Sequence, residues 1–438
     1  MALAPIAAVE RARTYTHAIV SWVDDDGYPT TVAGDFTTDA AAAAVEVGPI
    51  DSASLPPGGR EVCVTFSHIR PQPGMGYDER RYVNLWGDAI VTGSTLRVVA
   101  TRTAGWDEGD VPFMEYAERS VPEAHAYFDA VGGAPRLSAW WKFFLATRLP
   151  FLTATIVPIA LGGAIAAYDD SFSLGFWLLA LLAGCAVHLG LNIANDIFDD
   201  LSGADAANTT PTPFSGGSRV IQYGLVTRRQ MIGLCGCFYA IAIGLGFVLA
   251  AARGWNLLWI GGAGLVLSLV YSMPPFQLVS RGLGEPVTAL GFGPVMVLGT
   301  YFVCAQGWSW DAVYASVPVA ILIALVLYVN EIPDRIGDEK AGKRTIPVRL
   351  APARVVAIYA AAAITAFALV PLGVVLGIMP AWTLVALVAA PLAFKAYIGI
   401  RDFYEMPYAL MGPMQTNIGV HLVTGLLLVA GYVVATLV

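Results

Sequence analysis

Long apolar segments alternate with short polar connections through residues 136–438. Each segment is about 20 residues long, which is the length that a helix needs to cross the hydrocarbon core of a bilayer. The pattern therefore predicts an all-α polytopic membrane bundle of nine transmembrane helices. We place these helices at 149–168, 173–198, 230–252, 255–273, 286–305, 311–332, 353–375, 378–399 and 416–437.

The first 135 residues follow a different pattern, in which short β-type segments are separated by glycine-containing turns. Asp26-Gly27 follows the first of these segments and is a strong signal for a hairpin turn. A helix is predicted over 112–131, because acidic residues lie early in that segment. The pattern indicates a small soluble β-barrel, so we divide the chain into two domains, 1–135 and 136–438. The predicted strands cover 16–23, 61–67, 82–91 and 95–102.

The composition of the 438-residue chain agrees with this division. Apolar residues make up 56% and charged residues only 13%, and the mean hydropathy is +0.63, which is typical of a polytopic membrane protein. Residues 1–135 hold 19 acids and 9 bases, whereas the remainder holds 14 acids and 16 bases. An acidic soluble part therefore precedes a nearly neutral membrane part. Since no basic stripe lies outside the loops of the membrane part, a nucleic-acid partner is not expected.

Lysine and arginine are distributed unevenly between the two sides of the predicted bundle. One side carries nearly all of them, and the other has only Arg253. By the positive-inside rule the first side is cytosolic. The N-terminal domain is then cytosolic too, and an odd count of nine helices puts the C-terminus outside. The cytosolic bases are Arg136, Lys142, Arg148, Arg219, Arg228, Arg229, Arg281, Arg335, Lys340, Lys343, Arg344, Arg349, Arg354, Lys395 and Arg401.

The second predicted helix ends in a polar stretch, Leu191 to Asp200, that holds three carboxylates and two amides. Such groups are costly in hydrocarbon, so a membrane helix that carries them has a use for them. Asn192 and Asp196 are four residues apart, and so are Asn195 and Asp199, so each pair projects from one helical face. Amide and carboxylate oxygens are ligands that suit a hard cation such as Mg²⁺.

The sixth predicted helix ends in a second stretch of the same kind. Asn330, Asp334 and Asp338 follow one another at four-residue steps and therefore share a face. Two such faces together would hold Mg²⁺ ions and a diphosphate between them. The alternative is that these carboxylates are solvated helix ends near the membrane surface. Two motifs flanked by basic residues favour the binding site.

Glycine-rich and basic loops follow the two motifs. After the first motif, Gly216-Gly217 allows close backbone approach to an anion, and Arg219 offers bidentate contacts to phosphate oxygens. After the second motif, Lys340, Lys343 and Arg344 lie within five residues and would neutralise a diphosphate. The alternative for these bases is a juxtamembrane loop that binds lipid headgroups. Their position immediately beyond Asp338 favours the site.

In combination these features resemble the UbiA superfamily of intramembrane prenyltransferases, over essentially all of residues 140–438. Asn195-x-x-x-Asp199 and Asp334-x-x-x-Asp338 match the two metal motifs of that superfamily. The agreement is closest with the branch that prenylates 1,4-dihydroxy-2-naphthoate on the way to menaquinone. The segments that carry this closer agreement are Asn192 to Asp205, Ser215 to Arg219, Tyr271 to Phe276, Gly282 to Glu285 and Gly342 to Thr345.

The resemblance implies Mg²⁺-dependent transfer of a polyprenyl group from polyprenyl diphosphate to an aromatic acceptor. The metal ligands would be the motif side chains Asn195, Asp199, Asp334 and Asp338. Arg219, Lys340 and Arg344 would stabilise the charge on the departing diphosphate, and Asp196 or Asp200 would accept the proton that the acceptor loses. The residues expected to bind diphosphate or substrate are Asn192, Ser218, Arg219, Tyr271, Asn330, Lys340 and Lys343.

Glu331 and Pro333 lie inside the second motif and depart from the usual pattern of the naphthoate branch. This departure leaves the acceptor open more than the mechanism. Two alternatives keep the fold, namely a terpene cyclase of the UbiA type and transfer to a non-quinone acceptor. An ion transporter is a third alternative, but it would place charges near the midplane in broken helices. Here the charges cluster at helix ends beside cations.

The N-terminal domain resembles the pyridoxamine-phosphate-oxidase-like flavin split barrels over about 120 residues. The residues that carry this likeness are the turn at 26–29 and the segments Val62 to His68 and Tyr82 to Ala89. The resemblance implies FMN bound through basic and hydroxyl side chains near strand ends, for which Arg80, Arg81 and Thr65 are the candidates. The alternative is a barrel that has lost its flavin and serves as a docking or stabilising module.

Overall fold

The computed structural model describes residues 3–71, 77–130, 137–208 and 211–438. The chain forms two compact units, Met1–Ser120 and Val121–Val438, and each is described here by itself. The predicted domain boundary between residues 135 and 136 lies outside the described residues, as does Arg136, so that boundary stays a prediction.

The N-terminal unit is an antiparallel sheet preceded by helix α1, Pro5–Ala12. The strand order is β2-β1-β5-β6-β7-β4-β3, and β8 pairs with β6 beside this path. The predicted hairpin at Asp26-Gly27 is confirmed by the pairing of β1 with β2. The sheet establishes a β domain, whereas its identity as a split barrel stays a prediction. The strands are β1 Ala18–Val23, β2 Pro29–Gly34, β3 Phe36–Asp39, β4 Ala44–Val47, β5 Glu61–Pro71, β6 Tyr77–Thr92, β7 Thr95–Val99 and β8 Arg102–Asp107.

The strand predicted over 95–102 is in fact parts of two strands. Strand β7 ends at Val99 after pairing with β4 and β6. The chain then turns, and from Arg102 onward β8 pairs with a different part of β6. The alternation of apolar residues continues through the turn, which is why the sequence pattern does not reveal it.

One face of this sheet forms the core of the unit. Ala18 and Val20 of β1 are fully buried, whereas their neighbours along the strand are partly exposed, as expected for period-two alternation. They pack with Val64 and Phe66 of β5, which are also fully buried. Helix α2, Phe113–Ala130, follows the last strand and confirms the helix predicted over 112–131 within the described residues.

The second unit is built of helices. Each of the nine predicted apolar segments contains a helix in the structure. Eight of these are long and apolar enough to cross a membrane, whereas Leu257–Ser272 is a shorter apolar helix. The helices are α3 Ala139–Thr147, α4 Thr153–Tyr168, α5 Leu174–Ser202, α6 Ala204–Ala207, α7 Arg228–Arg253, α8 Leu257–Ser272, α9 Gly284–Leu290, α10 Met296–Ala305, α11 Trp310–Lys340, α12 Ile346–Arg349, α13 Pro352–Val375, α14 Ala390–Phe403 and α15 Met411–Leu437.

Small residues allow the helices to approach closely. A Cβ atom at Gly162 of α4 would lie 2.5 Å from the backbone oxygen of Val297 on α10. A Cβ atom at Gly431 of α15 would lie 2.7 Å from the Cα atom of Thr383. Glycine at such contacts is common in membrane bundles, where backbone approach supplies the packing energy.

Candidate active site

The C-terminal ends of α5 and α11 meet around one cavity of about 170 Å³. Both helices continue beyond their predicted ends at residues 198 and 332, so each polar motif lies on the last turns of a long apolar helix. The structure therefore brings together two motifs that are far apart in the chain. The predicted residues that line the cavity are Asn192, Asn195, Asp199, Tyr271, Asn330, Asp334, Asp338 and Lys343.

Direct hydrogen bonds connect the loop after the first motif to the second motif. The side-chain amide of Asn208 donates from Nδ2 to Oδ1 of Asp334 at 2.8 Å. The backbone N–H of Gly216 donates to Oδ2 of Asp334 at 2.9 Å. Both oxygens of Asp334 are therefore fixed by the loop that follows α5.

Lys343 supplies a positive charge between the two motifs. Its Nζ atom is 2.5 Å from Oδ1 of Asp199 and 3.8 Å from Oδ1 of Asp338. The three side chains are between 12% and 14% exposed. Burial alone would lower the pKa of Lys343, but the carboxylates of Asp199 and Asp338 outweigh burial and raise it. Lys343 is therefore a constant cation at the point where the motifs meet.

Asn195 orients Asp199 and ties α5 to α8. Its Nδ2 atom donates to Oδ2 of Asp199 at 3.0 Å. The hydroxyl of Ser272, at the end of α8, donates to Oδ1 of Asn195 at 2.8 Å. The amide and the carboxylate one turn apart therefore act as a unit, as their four-residue spacing predicts.

The Gly216-Gly217 pair brings backbone close to buried carboxylates. The φ angles are 75° and 73°, which glycine adopts without strain. A Cβ atom at Gly217 would lie 3.1 Å from an oxygen of Asp205 and 3.2 Å from an oxygen of Asp196. A side chain here would displace one of these carboxylates, so the position requires glycine. The next N–H, that of Ser218, donates to Oδ2 of Asp196 at 3.2 Å.

Asp205 lines the cavity but was not among the predicted site residues. Burial raises the pKa of Asp205 to about 8, and the nearby carboxylates of Asp199 and Asp196 add to the increase. Its Oδ2 atom accepts a hydrogen bond from Nε2 of Gln222 at 3.2 Å. The Asp205 carboxyl therefore holds a proton over much of the neutral range. The sequence contains one signal for Asp205, because this residue ends the segment Asn192 to Asp205 that resembles the naphthoate branch.

Three further lining residues were also missed as site residues. From the sequence Arg148 is expected only as a cytosolic base, whereas in the structure its Nη2 atom donates to the backbone oxygen of Phe214 at 3.3 Å. Asn208 lies in a loop and belongs to none of the spaced motifs. Glu331 differs from the family pattern in the sequence, and in the structure it lines the cavity. The spacing of residues in the sequence does not predict where the side chain of a loop residue points. Only the structure shows that the side chains of Arg148 and Asn208 reach the lining.

Two of the predicted catalytic carboxylates do not line the cavity. Asp196 is buried behind the glycine loop, where it accepts from Ser218. Asp200 lies 2.5 Å from Nη2 of Arg228 and accepts from Nε2 of Gln222 at 3.2 Å. Both carboxylates therefore hold the loop in place, and the role of proton acceptor expected for one of them stays a prediction.

Three predicted basic residues are also absent from the described lining. Arg219 donates from Nη1 to the backbone oxygens of Asp205 at 2.6 Å and Asn208 at 3.3 Å, so its guanidinium closes the loop on itself. Lys340 is exposed on the last turn of α11. Arg344 is exposed as well, and its backbone N–H donates to Ser280 at 2.8 Å.

A second cavity of about 450 Å³ adjoins the first. It lies among α5, α7, α8 and α10, and its lining is almost entirely apolar. The residues that the two cavities share are His188, Leu191, Tyr271, Thr288 and Phe292. A polar cavity at the helix ends therefore lies next to an apolar one inside the bundle, and these residues form the boundary between them.

The side chains at the polar cavity fit a hard divalent cation in their chemistry. They offer amide and carboxylate oxygens, and Lys343 already neutralises part of their charge. Within the described ranges, no three His, Cys, Asp or Glu side chains are close enough to enclose a metal alone. An ion held here would therefore take further ligands from amide groups or from a bound phosphate, as Mg²⁺ does at phosphate sites.

The two arginines predicted to bind flavin in the N-terminal unit contact protein groups. Nη2 of Arg80 is 2.5 Å from Oε1 of Glu108, and its guanidinium lies 4.2 Å from the ring centroid of Phe113. The guanidinium of Arg81 lies 5.4 Å from the ring centroid of Tyr15. These contacts do not support FMN binding, which stays a prediction.

The chain belongs to the UbiA prenyltransferase family, whose sequence profile matches residues 155–435. It is 26% identical over 302 residues to the 2-carboxy-1,4-naphthoquinone phytyltransferase of Synechocystis sp., which covers 68% of this chain and 94% of that protein. It is 30% identical over 255 residues to the 1,4-dihydroxy-2-naphthoate octaprenyltransferase of Mycobacterium tuberculosis, covering 57% of this chain and 83% of that one. Family and relatives identify an integral membrane enzyme that transfers prenyl groups.

Among solved structures, the chain is similar to a UbiA homolog from Archaeoglobus fulgidus bound to GPP and Mg²⁺. The TM-score is 0.46 and the sequence identity is 15%, and the alignment covers 66% of this chain and 99% of the homolog.

Proposed function

We propose that this chain transfers a polyprenyl group from a polyprenyl diphosphate to 1,4-dihydroxy-2-naphthoate, as a step in menaquinone synthesis. The observation that carries the proposal is the meeting of both aspartate motifs at one cavity, with Lys343 between Asp199 and Asp338. The name of the relative from Mycobacterium tuberculosis, a 1,4-dihydroxy-2-naphthoate octaprenyltransferase, supports the naphthoate acceptor.

Magnesium would be held by the oxygen side chains of the two motifs, Asn195, Asp199, Asp334 and Asp338. When bound, it supplies positive charge that stabilises the diphosphate as a leaving group. The protein prepares this site in advance, because Asn195 fixes Asp199 and Gly216 fixes Asp334. Oriented charges that need no rearrangement during the reaction are the most effective form of electrostatic stabilisation.

Two basic residues line the cavity in its described part, Lys343 and Arg148, in addition to His188. We assign stabilisation of the departing diphosphate to these two. Arg219 supports the site indirectly, because it holds the backbone of the loop that carries Asp205 and Asn208. Lys340 and Arg344 are exposed and would act outside the cavity, for instance on lipid phosphates.

The prenyl chain of the donor would lie in the adjoining apolar cavity. Its diphosphate would then stay at the helix ends, and the reacting carbon would lie near the shared residues Tyr271 and Phe292. An apolar lining excludes water, which would otherwise quench an allylic cation. The donor would therefore be aligned across the boundary between the two cavities.

We further propose that the active cavity opens to the cytosol. The N-terminal domain, 1–135, would then be cytosolic, and the membrane domain, 136–438, would end with its C-terminus outside. The support is the uneven distribution of lysine and arginine, which leaves Arg253 as the only base on the opposite side of the predicted topology.

The function is tested by mass spectrometry of products from membranes that contain the full chain. The membranes receive prenyl diphosphates of several lengths, with Mg²⁺ or with a chelator, and with or without dihydroxynaphthoate and other aromatic acids. We expect a prenylated naphthoquinol only when Mg²⁺ and the acceptor are both present. A cyclised hydrocarbon formed without an acceptor would instead identify a terpene cyclase.

Gly246→Phe is expected to shift the donor preference toward shorter prenyl chains by about tenfold, the effect of roughly 1.4 kcal/mol of overpacking. Gly246 lines the apolar cavity, and a Cβ atom there meets no atom within 4 Å, so the new ring would extend into the space for the chain. The ratio of products from a competition between long and short donors measures the shift.

Gly244→Phe is the matched control for this experiment. Gly244 lies on the same helix, is exposed, is absent from the described lining and is equally open around its Cβ atom. It should leave the product ratio unchanged. Equal ratios in both variants would contradict the placement of the prenyl chain.

A further inference from the structure

Two buried glutamates beside the active cavity have no role in the scheme above. Glu331 of α11 lines the cavity and is 6% exposed, and Glu285 of α9 is 8% exposed. Helices α9 and α11 pack against each other, and the charges of the two carboxyls interact directly. The two carboxyls hydrogen-bond to each other, and within the described part of the chain no other residue donates to any of their four oxygens.

Such a pair is not stable as two separate ions. Two carboxylates side by side in apolar surroundings cannot both be ionised, so the pair retains a proton and carries one negative charge. The shared proton pairs at most one oxygen of each carboxyl, so the remaining oxygens are unpaired, and an unpaired buried acceptor is unfavourable. The pair can therefore accept a further hydrogen bond from a donor in the cavity.

The missing hydrogen-bond partner must be a donor, and this requirement indicates its chemistry. Oδ1 of Asn330, which also lines the cavity, is buried and unpartnered in the same way. Unpaired acceptors that face a cavity match a ligand that carries O–H groups. A diphosphate offers only acceptor oxygens and would be repelled by them. A hydroxylated aromatic ring is the substrate with the required donors.

Glu331 also lies at the depth where the new bond forms. It precedes Asp334 by three residues and Asp338 by seven, so it is about 4.5 Å and about 10 Å deeper along the helix axis. Tyr271 and Phe292, which the two cavities share, mark the boundary between the polar and apolar regions. Glu331 therefore lies on the prenyl side of the diphosphate site.

We propose that Glu331 binds the ring hydroxyl of the aromatic acceptor and takes its proton, and that Glu285 positions Glu331 for this purpose. The inference rests on the proposed function. The C–O bond of the donor breaks, and its electron pair leaves with the diphosphate. The ring carbon beside the hydroxyl forms the C–C bond, while the hydroxyl proton moves to a carboxylate oxygen of Glu331 and the C–OH group becomes C=O. The same ring carbon then loses its original substituent, as a proton or as CO₂ from the carboxyl group, and the C=O oxygen regains a proton, which restores the aromatic naphthoquinol.

The test uses the purified full-length protein in lipid nanodiscs, with Glu331→Gln, Glu285→Gln and the control Glu339→Gln. Glu339 lies on the same helix and is exposed. Two quantities are measured. One is binding of a non-reactive thiodiphosphate analogue of the donor with Mg²⁺. The other is single-turnover transfer to hydroxynaphthoates whose hydroxyl groups become progressively more acidic.

We expect Glu331→Gln to bind the donor analogue within about threefold of the unmodified protein but to transfer at least about a hundredfold more slowly, the effect of losing a general base. Acceptors whose hydroxyl is already ionised should recover most of this loss, because they have no proton to give up. Glu285→Gln should show the same pattern with a smaller loss, and Glu339→Gln should match the unmodified protein.

Rapid transfer by Glu331→Gln would overturn the inference while leaving the proposed function intact. An equal loss for every acceptor regardless of its acidity, or loss of donor binding together with transfer, would also overturn it. If the unmodified protein prenylates none of these acceptors, the proposed function fails and the inference fails with it.

Discussion

Asp199→Ala and Asp338→Ala are each expected to lower prenyl transfer by at least about a hundredfold. Asp199 belongs to the first motif and Asp338 to the second, yet both carboxylates reach the same ammonium group of Lys343. Each substitution removes one oxygen ligand from the proposed magnesium site. It also removes one of the two carboxylates that contact Lys343. The rate is measured in membranes by product mass spectrometry, relative to the amount of enzyme.

Asp402→Ala serves as the control for these variants. Asp402 is 45% exposed and forms a surface ion pair with Arg401, so its loss should change the rate by no more than about twofold. Asp199→Asn and Asp338→Asn keep the side-chain shape and separate loss of charge from loss of folding. Full activity in either alanine variant would exclude a site that is shared by both motifs.

Lys343→Ala is expected to reduce transfer by about a hundredfold, since one fixed positive charge at a buried leaving-group site has an effect of this size. Lys343 is the cation that both motifs contact, and its loss leaves two buried carboxylates facing each other. Lys343→Arg should retain part of the activity because the charge remains. Steady-state rates at several donor concentrations separate weakened donor binding from a slower reaction.

Lys340→Ala is the matched control for Lys343→Ala. It removes the same side chain three residues earlier, from an exposed position on α11, and should change the rate by no more than about twofold. A larger loss in Lys340→Ala than in Lys343→Ala would restore the role expected for Lys340 from the sequence and would contradict the placement of Lys343.

The amino-acid sequence was sufficient to locate the two motifs and the apolar helices, of which eight are long enough to cross a membrane in the described part of the chain. A bilayer imposes a length and an apolar character on each crossing, and both are visible as uninterrupted runs. Within a helix, four-residue spacing fixes which side chains share a face, so the pairing of Asn195 with Asp199 follows from position alone. The actual ends of α5 and α11, at Ser202 and Lys340, were not determined, because polar final turns resemble loops.

The tertiary structure decided which of the neighbouring polar residues reach the cavity. Helix α11 ends at Lys340, and Gly342 then adopts a φ of 79°, so the chain reverses and Lys343 points back to α5 whereas Lys340 does not. The loop between the motifs likewise directs Arg219 at backbone oxygens and brings Asp205 into the lining. Loop side chains have no fixed periodicity, so their directions depend on contacts with residues distant in the chain, and only the folded protein supplies those contacts.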